Sequence, residues 1–315
     1  MSIDLNIEGD GITKKPFLAD MNVHEIAKQF SDDESANFIK DNRFLVIPIG
    51  FPQAGKSTLL SSLIYYSRQG YNPPFKPIWV SKEPFDRGFL TADEMVKYFQ
   101  DKKLYQANQK GSLDLIGIDI FPLKANLPRL NLAFLDLAGE DIKGIKTSEG
   151  SVFTDKINAV FNGVKTGGVK VVFVLITPFE PPKKDNESSR NAHDREDALH
   201  YDFLNYIETN QPELFRTSKF FIVVSQWDRN SDANLDVETY IREKRPSIYN
   251  SVRNSSVVWG EYSIGTLLES TIDGVQIQTI SRINHEYPAR FWKKLYQICT
   301  NKNLDKKTFW EKLFG

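Results

Sequence analysis

The chain has 315 residues, of which 40% are hydrophobic and 26% charged, and its 40 Lys and Arg against 41 Asp and Glu leave a formal net charge of -1. This composition is typical of a globular protein. The near-neutral balance argues against the basic surface on which bulk nucleic-acid binding depends, so we expect no nucleic-acid partner. The lone cysteine, Cys299, cannot form an internal disulfide.

Neither a secretory leader nor a membrane span is visible in the sequence. Residues 1–17 lack a basic start followed by an apolar run, and no apolar run approaches the roughly 20 residues that a membrane-spanning helix needs. These features favour a cytoplasmic location. The histidines are scattered and no Cys or His stands at ligand spacing, so a zinc site is not expected. They are His24, His193, His200 and His285.

A strand, a glycine-containing turn and a helix follow one another early in the chain. Residues 1–42 predict an N-terminal extension with short helices, and the apolar run at 43–50 predicts a buried parallel strand. Apolar residues then recur at helical spacing within 56–67. Between strand and helix, residues 50–57 read GFPQAGKS, which is the pattern of a phosphate-binding loop in the setting that this motif requires.

The loop residues indicate how a nucleoside triphosphate would be held. Gly50 and Gly55 give the backbone the freedom to point N–H groups at the β-phosphate. Lys56 would reach the β- and γ-phosphates, Ser57 would offer its hydroxyl to Mg²⁺, and Thr58 would lie near the α-phosphate. The residues expected to contact nucleotide are Gly50, Gln53, Ala54, Gly55, Lys56, Ser57 and Thr58.

A carboxylate follows a strand further along the chain. Residues 91–108 predict a helix with Thr91 as its N-cap, and residues 112–124 and 130–137 predict two strands joined as an antiparallel hairpin. Asp136 stands at the carboxyl end of the second strand, where it would hold Mg²⁺ from the side opposite Ser57.

Gly139 and Glu140, which follow Asp136, complete the expected phosphate side of the site. Gly139 could contact a γ-phosphate through its backbone N–H and permit the loop to move when that phosphate leaves. Glu140 stands where a group that orients the attacking water would be expected. Lys56 and Glu140 are the two predicted catalytic residues.

The second half of the chain continues to alternate strands and helices. The predicted elements are a helix at 151–165, a strand at 169–177, a charged surface loop at 178–197, a helix at 198–209, a strand at 219–228, a helix at 235–244 and a strand at 256–264. This alternation predicts an α/β domain over 43–270, with three layers and a mainly parallel sheet carrying one antiparallel edge strand. Residues 271–315 predict a C-terminal helical extension packed on the domain, with a partner-binding helix or a membrane-surface contact as alternatives.

The strand at 219–228 ends in a group suited to reading a base. The carboxylate of Asp228 can accept hydrogen bonds from both N1–H and the N2 amine of guanine, whereas adenine has a donor at neither place. Ser263, or the backbone of Ile264, follows the last strand and is expected to contact the guanine O6.

With these motifs in this order, the chain resembles the Ras-like P-loop GTPases of the translation-factor-related class over residues 43–266. It also resembles the bacterial double-GTPase group. The resemblance implies a P-loop NTPase fold, GTP or GDP with Mg²⁺ as cofactors, and a protein effector or activator as partner.

The chain departs from the family pattern at the base reader and the first switch. The family has Asn or Thr, then Lys, any residue and Asp, where this chain has Ser225, Gln226, Trp227 and Asp228. Gln226 lacks the aliphatic stem and the charge of the family lysine, which packs over the base. The family's first-switch threonine is not placed. Arg68 and Arg87 lie in the stretch where a built-in arginine finger would stand, but both are expected to be solvated.

We therefore expect a guanine-nucleotide-binding switch that hydrolyses GTP slowly with Mg²⁺ and signals to a protein partner through residues 70–111 and the loop after Gly139. A nucleotide-binding interaction module without turnover is the main alternative, favoured by Gln226 and the unplaced threonine. An ATP-using P-loop enzyme is a third hypothesis, against which Asp228 argues because ATP needs no such carboxylate.

Overall fold

A computed structural model describes residues 42–51, 54–69, 73–82, 85–105, 113–137, 160–164, 168–184, 186–272 and 275–304. The strands in these ranges are β1 (Phe44–Ile49), β2 (Phe75–Trp79), β3 (Leu113–Pro122), β4 (Leu130–Leu137), β5 (Lys170–Pro178), β6 (Lys219–Ser225), β7 (Ser256–Glu261), β8 (Gly265–Ile272) and β9 (Val275–Ile283). The helices are α1 (Lys56–Arg68), α2 (Asp86–Gln100), α3 (Ser189–Asn210), α4 (Pro212–Thr217), α5 (Val237–Lys244), α6 (Pro246–Val252) and α7 (Glu286–Thr300). Residues 160–164 are also helical, and a short 3₁₀ helix, Trp227–Arg229, follows β6.

The strands form a sheet of mostly parallel pairs. Its order is β2-β3-β4-β1-β5-β6-β7, while β8 and β9 pair separately as an antiparallel hairpin. Neighbours from β4 to β7 are parallel, and β3 pairs antiparallel with both β2 and β4. The expected α/β class and mainly parallel sheet are therefore confirmed.

The expectation of one antiparallel strand at the sheet edge is wrong, because β2 lies outside the reversed strand β3. The sequence pattern predicted no strand at Phe75–Trp79, whose centre is Pro77. A proline cannot donate to the ladder and is tolerated chiefly at sheet edges, which is where Pro77 lies. The proline therefore concealed an edge strand from the sequence pattern.

Helices cover both faces of the sheet. One buried cluster joins one sheet face to α1, α2 and α7, and the other joins the opposite face to α3, α4, α5, α6 and the helical residues 160–164. This division follows the alternation of side chains along the strands, as in β4, where Leu132 and Phe134 belong to the first cluster and Ala133 and Leu135 to the second. Because parallel strands run in the same direction, the carboxyl ends of β1, β4, β5, β6 and β7 lie along the same side of the sheet.

The charged segment at 178–197 is not a surface loop throughout. Helix α3 begins at Ser189, and the hydroxyl of Ser188 accepts a hydrogen bond from the Asn191 N–H at 3.1 Å. Asp197 is buried, and its carboxylate accepts hydrogen bonds from the backbone N–H groups of Ser247 and Ile248, at the start of α6. At least one of the charges that indicated a solvated loop, that of Asp197, thus makes a tertiary contact.

The predicted C-terminal extension is helical only in part. Its first residues complete β8 and form β9, and helix α7 begins at Glu286. Apolar and polar residues alternate in VQIQ, the first four residues of Val275–Ile283, and this alternation indicates a strand where the sequence pattern had been interpreted as helical. The N-terminal extension up to residue 41 and the final segment 305–315 lie outside the described residues. Among the described helices, none combines the length and the apolar character required to cross a membrane.

Candidate functional site

The glycine-containing turn joins β1 to α1 at the carboxyl ends of the parallel strands. Gly55 has φ +84°, in the left-handed region that favours glycine, and it immediately precedes the first residue of α1. The Ala54 N–H donates to the Phe51 carbonyl at 3.0 Å, and the Leu59 N–H donates to the Gly55 carbonyl at 2.8 Å. Gly50 packs closely, since a Cβ there would lie 3.4 Å from the Ile176 carbonyl oxygen. The turn therefore leads directly into the N-terminus of α1.

Lys56 and Asp136 form an ion pair beside this turn. The Lys56 Nζ lies 3.2 Å from the Asp136 Oδ1, and the two side chains are 6% and 0% exposed. Strand β4 lies next to β1 in the sheet, so the end of β4 places Asp136 at the helix that begins with Lys56. Ser57 follows Lys56 in the first turn of α1 and is partly buried. The expected lysine, hydroxyl and carboxylate are thus carried by adjacent elements.

A second carboxylate, which no sequence motif indicated, lies opposite Asp136. Asp114 and Asp136 are directly paired across β3 and β4, which places both side chains on the same sheet face. The Arg87 Nε lies 2.7 Å from the Asp114 Oδ1, and the Thr91 hydroxyl donates to the Asp114 Oδ2 at 3.0 Å. Burial raises the pKa of Asp114, although Arg87 opposes the rise. Two carboxylates and two cations therefore neighbour one another.

Thr91 is not the N-cap that the sequence predicted. Helix α2 begins at Asp86 with Phe85 in the cap position, so Thr91 lies in the second turn and contacts Asp114 instead. Arg68 lies at the opposite end of α1 from Lys56 and pairs with Asp93. Arg87, rather than Arg68, is therefore the arginine near the carboxylates. Both arginines were expected to be solvated, but each pairs with an aspartate.

The end of β6 is tied to the glycine-containing turn. The Ser225 hydroxyl donates to the Ala54 carbonyl at 2.7 Å. Gln226 then adopts a left-handed conformation with φ +59°, and the Trp227 N–H donates to the Tyr262 carbonyl at 3.0 Å. Asp228 lies in the 3₁₀ helix that follows. These contacts place the proposed base reader and the proposed phosphate loop side by side.

A cavity of about 770 Å³ adjoins several of these segments, although Lys56, Ser57 and Asp136 are not among the residues that line it. It is bounded by the glycine-containing turn, by the end of β6, by the turn after β7, and by the hairpin of β8 and β9. The site residues predicted from sequence that line it are Gly55, Thr58, Gln226, Asp228 and Ser263, together with Ile264. Its other lining residues are Leu59, Leu104, Glu180, Pro182, Ser225, Arg229, Tyr262, Gly265, Thr266, Leu267 and Gln278.

Ser263 is distant in sequence from the start of α1, but it lines the same cavity. Its side chain is buried, and its hydroxyl accepts a hydrogen bond from the Gly265 N–H at 3.2 Å. Three further residues predicted for the site, Gln53, Gly139 and Glu140, lie outside the described residues. The expected γ-phosphate contact and water-orienting group therefore remain predictions.

The donor set fits a magnesium ion better than a zinc ion. A carboxylate oxygen from Asp136 and the Ser57 hydroxyl are hard oxygen ligands, which suit Mg²⁺ when phosphate oxygens complete its shell. Across the described part of the chain, no three His, Cys, Asp or Glu side chains are grouped so as to hold a metal by themselves. Mg²⁺ bound with nucleotide needs no such all-protein cage.

Comparison with known proteins does not assign the chain to a family. No protein-family model matches it, and no curated protein sequence matches it. The functional interpretation therefore depends on the geometry of the cavity and the chemistry of the residues around it.

Proposed function

We propose that this chain is a guanine-nucleotide-binding switch with a P-loop NTPase fold, which hydrolyses GTP slowly in the presence of Mg²⁺. One observation carries the proposal: Gly55 and Thr58, from the glycine-containing turn and the start of α1, line the same cavity as Asp228. The cavity of about 770 Å³ has the size typical of a small-molecule or cofactor site.

The phosphates would lie at the start of α1. The first N–H groups of a helix have no partners within the helix, and the helix dipole favours negative charge there. The buried Lys56 ammonium would add a positive charge for the terminal phosphates. In the protein alone, Asp136 balances that charge at 3.2 Å. When Mg²⁺ is bound, Ser57 and Asp136 would supply protein oxygens to it, and the ion would neutralise phosphate charge.

The base would lie toward Asp228. Its carboxylate would accept from guanine N1–H and N2–H, while Ser263 or the Ile264 backbone would face O6. Ser225 supports this end by bonding the Ala54 carbonyl, so that the base-reading segment and the phosphate loop are held in a common frame. Asp228 is the reason for favouring guanine over adenine, because an adenine ring would leave that carboxylate without donors.

The proposal also includes hydrolysis and signalling. Glu140 would orient the attacking water, and Gly139 would respond to the γ-phosphate. A protein effector or activator would respond to the nucleotide state. A module that holds nucleotide without turnover is the second candidate, since Gln226 stands where the resembled GTPases have the lysine that packs over the base.

Nucleotide selectivity tests the proposal. Purified protein is titrated by calorimetry with GDP, GTP and ATP, each with Mg²⁺, and phosphate release from bound GTP is then followed. We expect GTP and GDP to bind far more tightly than ATP, with slow release of phosphate. Equal affinity for ATP and GTP would overturn the guanine assignment. Tight GTP binding without phosphate release over hours would favour the non-hydrolysing module.

Asp228→Asn gives a second test with a matched control. Each hydrogen bond to a charged group contributes about 1.5–3 kcal/mol, so we expect GDP affinity to fall roughly 100-fold or more. Affinity for xanthosine diphosphate should rise, because the asparagine amide offers a donor where xanthine carries a carbonyl. Asp232→Asn alters an exposed carboxylate that is not part of the cavity wall and should change neither affinity.

A further inference from the structure

The hairpin of β8 and β9 forms a wall of the cavity that no recognised motif includes. Thr266 and Leu267 from β8 and Gln278 from β9 line the same space as Asp228 and Ser263. Leu104, which follows α2, also lines it. The cavity is therefore bounded on one side by residues far from both the glycine-containing turn and the base reader in sequence.

The hairpin is anchored at its base next to the turn that carries Ser263. Gly265 has φ +120°, and a Cβ there would lie 1.8 Å from the Arg282 carbonyl oxygen, so only glycine fits where β8 begins. The Asn284 N–H donates to the Ile264 carbonyl at 3.0 Å and closes the far end of β9 onto the same turn. The position of the hairpin is thus coupled to the position of the proposed O6 contact.

A second contact anchors the hairpin to the end of α2. The Ile280 N–H donates to the Lys102 carbonyl at 2.8 Å, and Lys103 forms an antiparallel bridge with Thr279. Leu104 follows directly and lines the cavity. Two backbone attachments therefore hold the hairpin, one on the turn after β7 and one beside Leu104, and Leu267 and Leu104 belong to segments that are fixed relative to one another.

The chemistry of this wall suits a base better than a phosphate. The wall contributes Leu104 and Leu267, which are apolar, with the uncharged Thr266 and Gln278, and none of these carries a positive charge that would attract phosphate. An aromatic base gains affinity when apolar groups remove its ring faces from water. Gln226, which also lines the cavity, has a short amide side chain instead of a long aliphatic stem. Apolar residues elsewhere in the cavity would then supply most of the surface for the base.

We infer that Leu104 and Leu267 supply the apolar surface for the nucleoside, so that the hairpin of β8 and β9 determines how long a guanine nucleotide stays bound. This inference rests on the proposed function, in that it takes the occupant to be a guanine nucleotide. It adds a retention element outside the glycine-containing turn, Asp136 and Asp228.

Leu267 and Leu268 offer a matched pair for the test. They are adjacent in β8, but Leu267 lines the cavity and is 37% exposed, whereas Leu268 does not line it and is 55% exposed. Successive side chains of a strand point to opposite faces, so Leu267→Ser changes the wall and Leu268→Ser changes the outer surface by the same chemistry. Because both side chains are partly exposed, neither change removes a core residue.

The measurement is the dissociation rate of tritiated GDP, chased with unlabelled GDP, because this label adds nothing to the ribose. Loss of an apolar contact in a pocket weakens binding roughly 10- to 200-fold. We expect Leu267→Ser and Leu104→Ser each to speed dissociation about 10-fold or more, and Leu268→Ser to leave it unchanged. The ratio of GTP to GDP affinity should stay at its wild-type value, because the wall would contact the nucleoside that both nucleotides share.

The outcomes separate the inference from the proposed function. If the wild-type protein retains no guanine nucleotide, both fail. If it does, but Leu267→Ser and Leu268→Ser release GDP at the same rate, only the wall is overturned. A changed GTP to GDP ratio in Leu267→Ser would also overturn it, by showing that this residue acts on the phosphates. Leu267→Met, which keeps an apolar side chain, should restore slow dissociation, and thermal denaturation checks that each variant is folded.

Discussion

At the scale of single residues, the charged side chains near the glycine-containing turn form opposite-sign pairs in which Lys56, Asp136 and Asp114 are buried and Arg87 is partly exposed. Lys56 lies against Asp136, and Arg87 lies against Asp114, with the two carboxylates opposite each other across β3 and β4. A buried charge without a partner is strongly unfavourable, so each of the three buried groups depends on its neighbour. Removing Lys56 or Asp136 alone would therefore alter stability as well as nucleotide binding, and activity measurements on such variants require a folding control.

His193 provides a prediction about pH. Burial, with help from the nearby Arg245, lowers the pKa of this imidazole from 6.5 to about 4. Between these values, the unfolded chain takes up a proton that the folded chain does not. The free energy of unfolding should therefore fall as the pH decreases from 6.5 toward about 4. Above pH 6.5, the stability that depends on a neutral His193 is fully present.

Urea denaturation at about pH 7 and about pH 5 measures this effect, using His193→Gln as the comparison. Glutamine cannot take up the proton, so the variant should lose less stability than the wild type over the same interval. The carboxylates titrate in both proteins, and their contribution cancels in the difference. Equal loss in the two proteins would contradict the assignment.

At the scale of elements, α2 carries two of the partners of Asp114 and lies very close to β3. At Gly88, a Cβ would lie 1.8 Å from the Leu115 carbonyl oxygen and 2.4 Å from its carbon, both of which are backbone atoms. A rigid strand cannot retreat as a flexible side chain can. Glycine at this position therefore permits the close approach by which Arg87 and Thr91 reach Asp114.

Gly88→Ala should destabilise the protein, because the methyl group forces α2 away from β3. Overpacking of this kind costs about 1–3 kcal/mol, and contact with backbone places the expected value at the upper end. The measurement is the free energy of unfolding in urea. Leu90→Ala is the control on the same helix, since Leu90 is 64% exposed and its loss should change stability by less than about 0.5 kcal/mol. A Gly88→Ala protein as stable as this control would contradict the proposed packing.

At the scale of the whole molecule, helix α7 joins the C-terminal part of the chain to the main sheet. Trp292 is fully buried, contacts Phe75 of β2 and Phe134 of β4, and donates from its indole Nε1 to the Leu63 carbonyl at 3.2 Å. One side chain of α7 thus touches an edge strand, a central strand and α1. The helix belongs to the same core as the segment that begins with Lys56.

Trp292→Ala should lower the free energy of unfolding by about 3–5 kcal/mol, the usual cost of emptying a large aromatic site. A single cooperative transition in both proteins, followed by fluorescence and by circular dichroism, is also expected, because α7 shares the core of the sheet. Gln297→Ala on the exposed face of α7 is the control and should be close to neutral. Separate unfolding of α7 before the sheet would contradict this description.

The sequence predicted the central strands and the turn before Lys56 because their signals are local. An apolar run, a glycine and a helical period lie within about 25 consecutive residues, as is usual for a strand-turn-helix unit. It failed at Pro77, where one residue interrupts the strand pattern although an edge strand tolerates proline. It also failed at Asp197, where charge indicated solvent but the carboxylate bonds the start of α6.

By itself, then, the sequence determined the α/β class, the mostly parallel sheet, the glycine-containing turn between β1 and α1 and the position of Asp136 near the end of β4. These follow from periodicity and backbone chemistry over short stretches of chain. Only the tertiary structure decided that Asp114 lies opposite Asp136, that Ser225 holds Ala54, and that the hairpin with Leu267 closes the cavity beside Leu104. Each of these depends on pairing between residues that are distant in sequence, and strand register and hairpin docking are set by the packing of the whole domain.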